Sequence, residues 1–330
     1  MSDTTPLLPR PITINAPRRD KHPITLRACH SPWRGISQTL LFSIRLAFAG
    51  YLSAVSGVSL KYKLENQDDH TRWRIPFQFS TVSYSLLWAY HVLVTHWTGM
   101  HLFAPQTIAD DPERYYGYSS LRTRVVRLLS PPRQADNSRR RFAFSMFYTI
   151  AHVFTFMNTV IYWGVLVPYG HGGFKQIHPP GHSHRGNQTS ASIMYSPSRA
   201  STMYDPNKGL FEEDPIKALG ILNLSTITTL IGVIEIFFLN SIRRQTPVAG
   251  HAVGVMFLSG VYLAWAAIGK SLTGHAGLFF IDPKHMGDFP EASIAACIAF
   301  IALSPGFFSY MYGLIAMRET ITAAHHDSSQ

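Results

Sequence analysis

Four side chains that could do chemistry lie inside stretches of this 330-residue chain that otherwise read as hydrocarbon. They are Arg45 in "SIRLAFAG", Thr81 in "FQFSTVSY", His152 in "IAHVFTF" and Glu235 in "GVIEIFF". Ionisable groups in apolar surroundings are costly and face a partner or a cavity, so each is a candidate for function. Arg45 and Glu235 have opposite charge and are read as a buried ion pair. A threonine hydroxyl can act as a nucleophile only when a neighbour takes its proton, and otherwise returns its hydrogen to a backbone carbonyl. His152 is either such a proton acceptor or a hydrogen-bonded packing residue. Lys217 and Lys270, near span ends, can snorkel to the interface.

The soluble-enzyme signals are missing. There is no G-x-S-x-G elbow, no H-E-x-x-H zinc helix, no Walker loop and no dinucleotide glycine pattern. The two cysteines, Cys29 and Cys297, form neither a disulfide framework nor a C-x-x-C motif. His171, His178, His182 and His184 lie in one polar segment without Cys or carboxylates at ligand spacing, so no metal and no cofactor are expected.

The elements that must position these groups are membrane spans. Only 15% of residues are charged, and they cluster between apolar runs. A span needs about 20 apolar residues at 1.5 Å each. Six stretches qualify: Ser37 to Leu60, Pro76 to Trp97, Phe142 to Val167, Ile216 to Leu239, Thr246 to Ile268 and Glu291 to Met317. His91 and His96 make the second the weakest. Pro305 should kink the sixth toward a neighbour that satisfies the freed carbonyl. The expected fold is an all-α polytopic bundle of about six spans over 37–317. A disordered tail over 1–36, a basic loop over 98–141, a polar loop over 168–215 and a short tail over 318–330 complete it.

Lys and Arg in the N-terminal tail, the second and fourth loops and the C-terminal tail number seventeen, against ten in the other three loops. The richer side faces the cytosol, which places both termini there. A net charge of +10 in segments that flank apolar runs points to anionic lipid on the cytosolic leaflet rather than to nucleic acid. "LRTRVVRLL" over 121–129 reads as a basic amphipathic helix on that leaflet or as a solvated linker. With this topology Asn187-Gln-Thr is a lumenal N-glycosylation acceptor. Asp3, Leu7 and Leu8 match an acidic dileucine signal that a sorting adaptor would read on endosomes or vacuoles. The expected compartment is the endomembrane system. Arg45 and Glu235 each lie about 10 to 12 Å deep from the cytosolic side, at matching depth.

The spans carry a recognisable pattern. "SPWRGISQTLLFSIRLAFAGYL", "FQFSTVSY", "FYTIAHVFTFMNTVIYWGVLV", "LSTITTLIGVIEIFF" and "YLAWAAIGKSLTGHAGLFFIDP" resemble the androgen-induced family of multi-pass membrane proteins, some of which hydrolyse fatty acid esters of hydroxy fatty acids. The resemblance implies a threonine nucleophile early in the second span, which falls on Thr81, and a histidine base early in the fourth. Ten residues before Glu235, where that histidine should stand, this chain has Ser225. His152 and His275 are the substitutes nearest by depth, since His91 is about 15 Å along the helix from Thr81. Three expectations remain: a Thr81-dependent lipid ester hydrolase, a non-catalytic lipid-binding or scaffold protein on the same frame, and a transporter lined by Arg45, Glu235 and Lys270.

Overall fold

The computed structural model describes residues 24–66, 73–103, 138–168, 215–245, 247–286 and 288–327. Among them there is no strand; the fold is an all-α bundle of six long helices, α1 Gln38–Asn66, α2 Phe79–Phe103, α3 Ser138–Ile161, α4 Pro215–Leu239, α5 Val248–Thr273 and α6 Pro290–Asp327. Five of them, α1 and α3 to α6, are long and apolar enough to cross a membrane. The exception, α2, has the length at 25 residues, but it carries Ser83, Tyr84, His91, Thr95 and Thr98 buried against protein. Packed between α1 and α3, it is shielded from lipid along much of its length, so it can be more polar than its neighbours.

At the centre stands α3. Of its apolar span 78% is buried, against 22–39% for the other four, and it packs on α2, α4, α5 and α6. Its buried positions cover all sides from Phe144 to Met157, so this helix is wrapped by protein. Phe79 at the start of α2 meets Phe154 of α3, Tyr262 of α5 and Phe300 of α6 with ring centroids 5.2, 4.9 and 5.1 Å away. One aromatic side chain thereby joins four helices.

Several sequence-derived boundaries are corrected. The tail read as disordered through residue 36 is ordered from Ile24: a short helix, Ile24–Ala28, docks on the bundle, with Arg27, Cys29, His30 and Ser31 buried. Ser31 Oγ donates to Phe238 O at 2.7 Å and Trp33 Nε1 to Phe237 O at 2.9 Å, so the segment caps carbonyls left open at the end of α4. The first span runs six residues past Leu60, and α2 starts at Phe79 because Pro76 sits in a separate 3-10 turn, Ile75–Phe77. The short tail over 318–330 is helical through Asp327 as part of α6. The carbonyl that Pro305 leaves free, that of Ile301, accepts from Ser304 Oγ at 2.8 Å, so the same helix rather than a neighbour satisfies it.

Glycines set two close approaches around the start of α2. A Cβ on Gly277 would lie 2.0 Å from the backbone oxygen of Phe77, and one on Gly269 would lie 2.3 Å from the Phe77 ring. This closeness lets Gly277 O accept from Phe79 N at 3.4 Å, while Tyr262 and Trp265 of α5 donate to Phe77 O and Pro76 O at 3.0 Å each.

Candidate functional site

These contacts with the segment after α5 fix the first turn of α2, and Thr81 sits in that turn, half-buried. Among the described residues no imidazole is hydrogen-bonded to its hydroxyl. Ser225, on α4, is buried, and its hydroxyl donates to Ile221 O at 2.6 Å, the return to its own helix common for a serine in an apolar span.

Ser225 lies in a wider, π-helical turn, Asn223–Ile227, and a second such turn, Glu235–Leu239, closes α4. Single π turns displace carbonyls from the regular ladder and recur at functional sites. Here Leu224 O is taken up from the side by Asn158 Nδ2 of α3 at 2.7 Å, and Thr159 and Thr229 join hydroxyls at 2.5 Å. Asn223 is buried with its Oδ1 unpartnered, and Asn223 and Ser56 both come within hydrogen-bonding reach of Tyr84, whose hydroxyl donates to Leu52 O. Tyr84 and Asn223 therefore meet between α2 and α4, with Thr81 one turn before Tyr84 on α2 and Ser225 two residues after Asn223 on α4.

Neither substitute base is hydrogen-bonded to Thr81. His152 is fully buried beside Tyr90 and Tyr148, with ring centroids 5.0 and 4.6 Å away, and its Nδ1 donates to Tyr148 O at 2.8 Å. Tyr90 is nine residues beyond Thr81, so His152 stands roughly 13 Å further along the bundle. His275 is exposed in the segment after α5, and it makes no hydrogen bond to Thr81.

At the other end the structure brings Arg45 and Glu235 together. Arg45 Nη2 donates to Glu235 Oε1 at 2.7 Å and to Leu239 O at 2.7 Å, and its Nη1 to Thr98 Oγ1 at 2.6 Å. Tyr90 donates its hydroxyl to the same carboxylate oxygen at 3.0 Å. Beside them lies a second guanidinium, from the segment expected as the C-terminal tail. Arg318 of α6 is 1% exposed and gives Nη1 to Ile236 O, Asn240 O and Asn240 Oδ1 at 2.7, 2.7 and 3.0 Å, and Nη2 to Ile242 O. A guanidinium fork at the C-terminal end of α4 satisfies open carbonyls and opposes the helix dipole. Its only sequence signal was an arginine at the very edge of an apolar run.

Lys270 is held by Asp282 at 3.2 Å and by Ile281 O at 3.4 Å, at the surface rather than along a path through the bundle. Comparisons with protein-family models, with curated proteins and with solved structures return no match. Among the described residues no three His, Cys, Asp or Glu side chains converge as metal ligands. Asn187, Asp3, Leu7, Leu8, the four loop histidines and the 121–129 segment lie outside the described residues.

Chemically, the region around Thr81 has hydroxyl and amide groups that can hydrogen-bond an ester or a hydroxyl, and among the described residues no imidazole is hydrogen-bonded to Thr81. In the Arg45, Glu235 and Arg318 district the charges bond to one another and to backbone carbonyls, and these bonds tie α1, α2, α4 and α6 into one frame.

Proposed function

We propose that this chain is a multi-pass protein of the endomembrane system, with both termini cytosolic, that binds an acyl lipid in the lumenal half of its bundle without turning it over there. The observation that carries the reading is Ser225: where the resembling family has its base, this chain has a hydroxyl whose own proton goes to Ile221 O. Among the described residues Thr81 then has no hydrogen-bonded imidazole to activate it, and an unassisted threonine hydroxyl is a poor nucleophile. The unpartnered Oδ1 of Asn223, with Tyr84 and Thr81 close in sequence depth, supplies the polar groups that would orient a lipid ester or hydroxyl in an apolar surround.

A photoreactive fatty ester incubated with the protein in membranes tests this. Crosslinks should map to α2 and α4 near Thr81 and Asn223, weaken in Asn223→Leu, and be accompanied by no Thr81-dependent release of fatty acid. Hydrolysis that vanishes in Thr81→Ala would overturn the proposal in favour of the second reading, a threonine-dependent ester hydrolase of the androgen-induced type, which the span motifs favour.

A further inference from the structure

A hydroxyl does meet an imidazole in this bundle, at the other end and on other helices. Ser145 Oγ of α3 lies 2.7 Å from His251 Nε2 of α5. The opposite ring nitrogen, Nδ1, lies 2.9 Å from Pro247 O. A carbonyl only accepts, so Nδ1 carries the hydrogen, and the lone pair of the neutral ring is on Nε2, facing the serine. Two aromatic rings neighbour the imidazole, Phe142 tilted with its centroid 5.1 Å away and Phe308 parallel to it at 6.4 Å. Nucleophile, base and an orienting acceptor behind the base are the three parts a Ser–His hydrolytic site needs.

A glutamine amide adjoins the serine. Gln245 Oε1 contacts Ser145 Oγ and accepts from Thr149 Oγ1 at 3.0 Å, and Gln245 Nε2 is buried without a partner. Half a turn of that amide would place an N–H against the serine oxygen and leave the serine proton to His251, the stronger base of its two takers. Thr149 can give its own hydrogen to Ser145 O at 2.8 Å, so neither amide orientation leaves it without an acceptor.

Depth indicates the substrate. Arg139, Arg140 and Arg141 open α3 exposed at the basic end, and Ser145 is four residues, about 6 Å, below the last of them. His251 is likewise in the first turn of α5. That is the boundary between headgroup and hydrocarbon, the level of the ester carbonyls of bilayer lipids. Phe142, one turn before Ser145 and 43% exposed, packs on the His251 ring with centroids 5.1 Å apart.

We propose that Ser145 and His251 form a nucleophile and base pair acting on acyl esters of glycerolipids in the leaflet at the basic end of the bundle, a site separate from Thr81. Ser145 Oγ bonds to the acyl carbon as its proton passes to His251 Nε2; the ester C–O bond then breaks, and the departing alcohol oxygen takes that proton. Water attacks the acyl-serine, giving its proton to His251 Nε2, and the fatty acid leaves as Ser145 Oγ recovers it. The net change is one ester and one water to one acid and one alcohol.

The test uses the full-length chain in membranes with an alkyl fluorophosphonate, followed by peptide mapping. Wild type should carry the adduct on Ser145. Ser145→Ala should abolish labelling, His251→Gln should slow it about a hundred-fold or more, Phe142→Ala should speed it, and Gly57→Ala, where nothing lies within 4 Å, should leave it unchanged. An unlabelled wild type that elutes as a single folded species, or an adduct mapped elsewhere, would overturn the pair. An adduct on Thr81 would overturn the non-catalytic reading of the lumenal site as well.

Discussion

Arg45 and Glu235, separated by 190 positions in the chain, meet at 2.7 Å with side chains 1% and 0% exposed. Around this contact Tyr90, Thr98 and Leu239 O complete the hydrogen bonds of both charges except Arg45 Nε and Glu235 Oε2. A buried pair of this kind is costly to halve and much less costly to remove whole, because the desolvation of a lone charge is no longer offset.

Arg45→Ala alone should therefore destabilise the protein by about 3–5 kcal/mol. Arg45→Met combined with Glu235→Leu should recover a large part of that loss. Thermal unfolding in detergent of the single and double variants reads both values, and a double variant no more stable than the singles would refute the pairing as the source.

Arg318→Lys should behave almost like Arg318→Ala. A lysine keeps the charge but cannot span Ile236 O, Asn240 O and Ile242 O with one ammonium, so carbonyls at the end of α4 lose their donors. Each lost charged hydrogen bond costs about 1.5–3 kcal/mol. Hydrogen exchange should rise in the last turn of α4 first.

Cys29 should resist alkylation. Burial pushes its thiol up to about 12, with Arg45 nearby opposing the shift only in part. At pH 8 its thiolate fraction is then about one part in ten thousand, far below that of an ordinary thiol. The folded state favours the protonated form, so this contribution to stability is intact below about pH 9, where the unfolded thiol begins to ionise, and declines as pH rises toward about 12. Trp33→Ala, by removing the donor to Phe237 O, should loosen the segment and speed iodoacetamide labelling of Cys29 at fixed pH.

Gly277→Ala should be more damaging than a surface glycine change. Its Cβ would meet Phe77 O at 2.0 Å, so the turn before α2 must shift and the bond from Phe79 N to Gly277 O is lost. We expect lower thermal stability together with weaker lipid crosslinking near Thr81. Gly57→Ala, where nothing lies within 4 Å, should change neither and is the control.

The all-α bundle, the order of its six helices and the matching depth of Arg45 and Glu235 could be read from the chain itself. Span length and depth are measured along one dimension, and hydrocarbon allows few irregular solutions, so counting residues suffices. Contacts across helices depend on which face each residue presents. In α4 the π turn Asn223–Ile227 breaks the 100° step between Ser225 and Glu235, so counting back ten residues locates a position and not a direction. His152 matched a base by depth in the span, yet packing turns it toward Tyr90 and Tyr148. Arg318, at the margin of an apolar run, becomes a buried cap only because α6 crosses the end of α4. Ser145 and His251 are 106 residues apart on helices that touch only in the assembled bundle, so no spacing in the sequence announced them. Hydropathy determined how many helices there are and in what order; side-chain packing between them decided which polar groups meet.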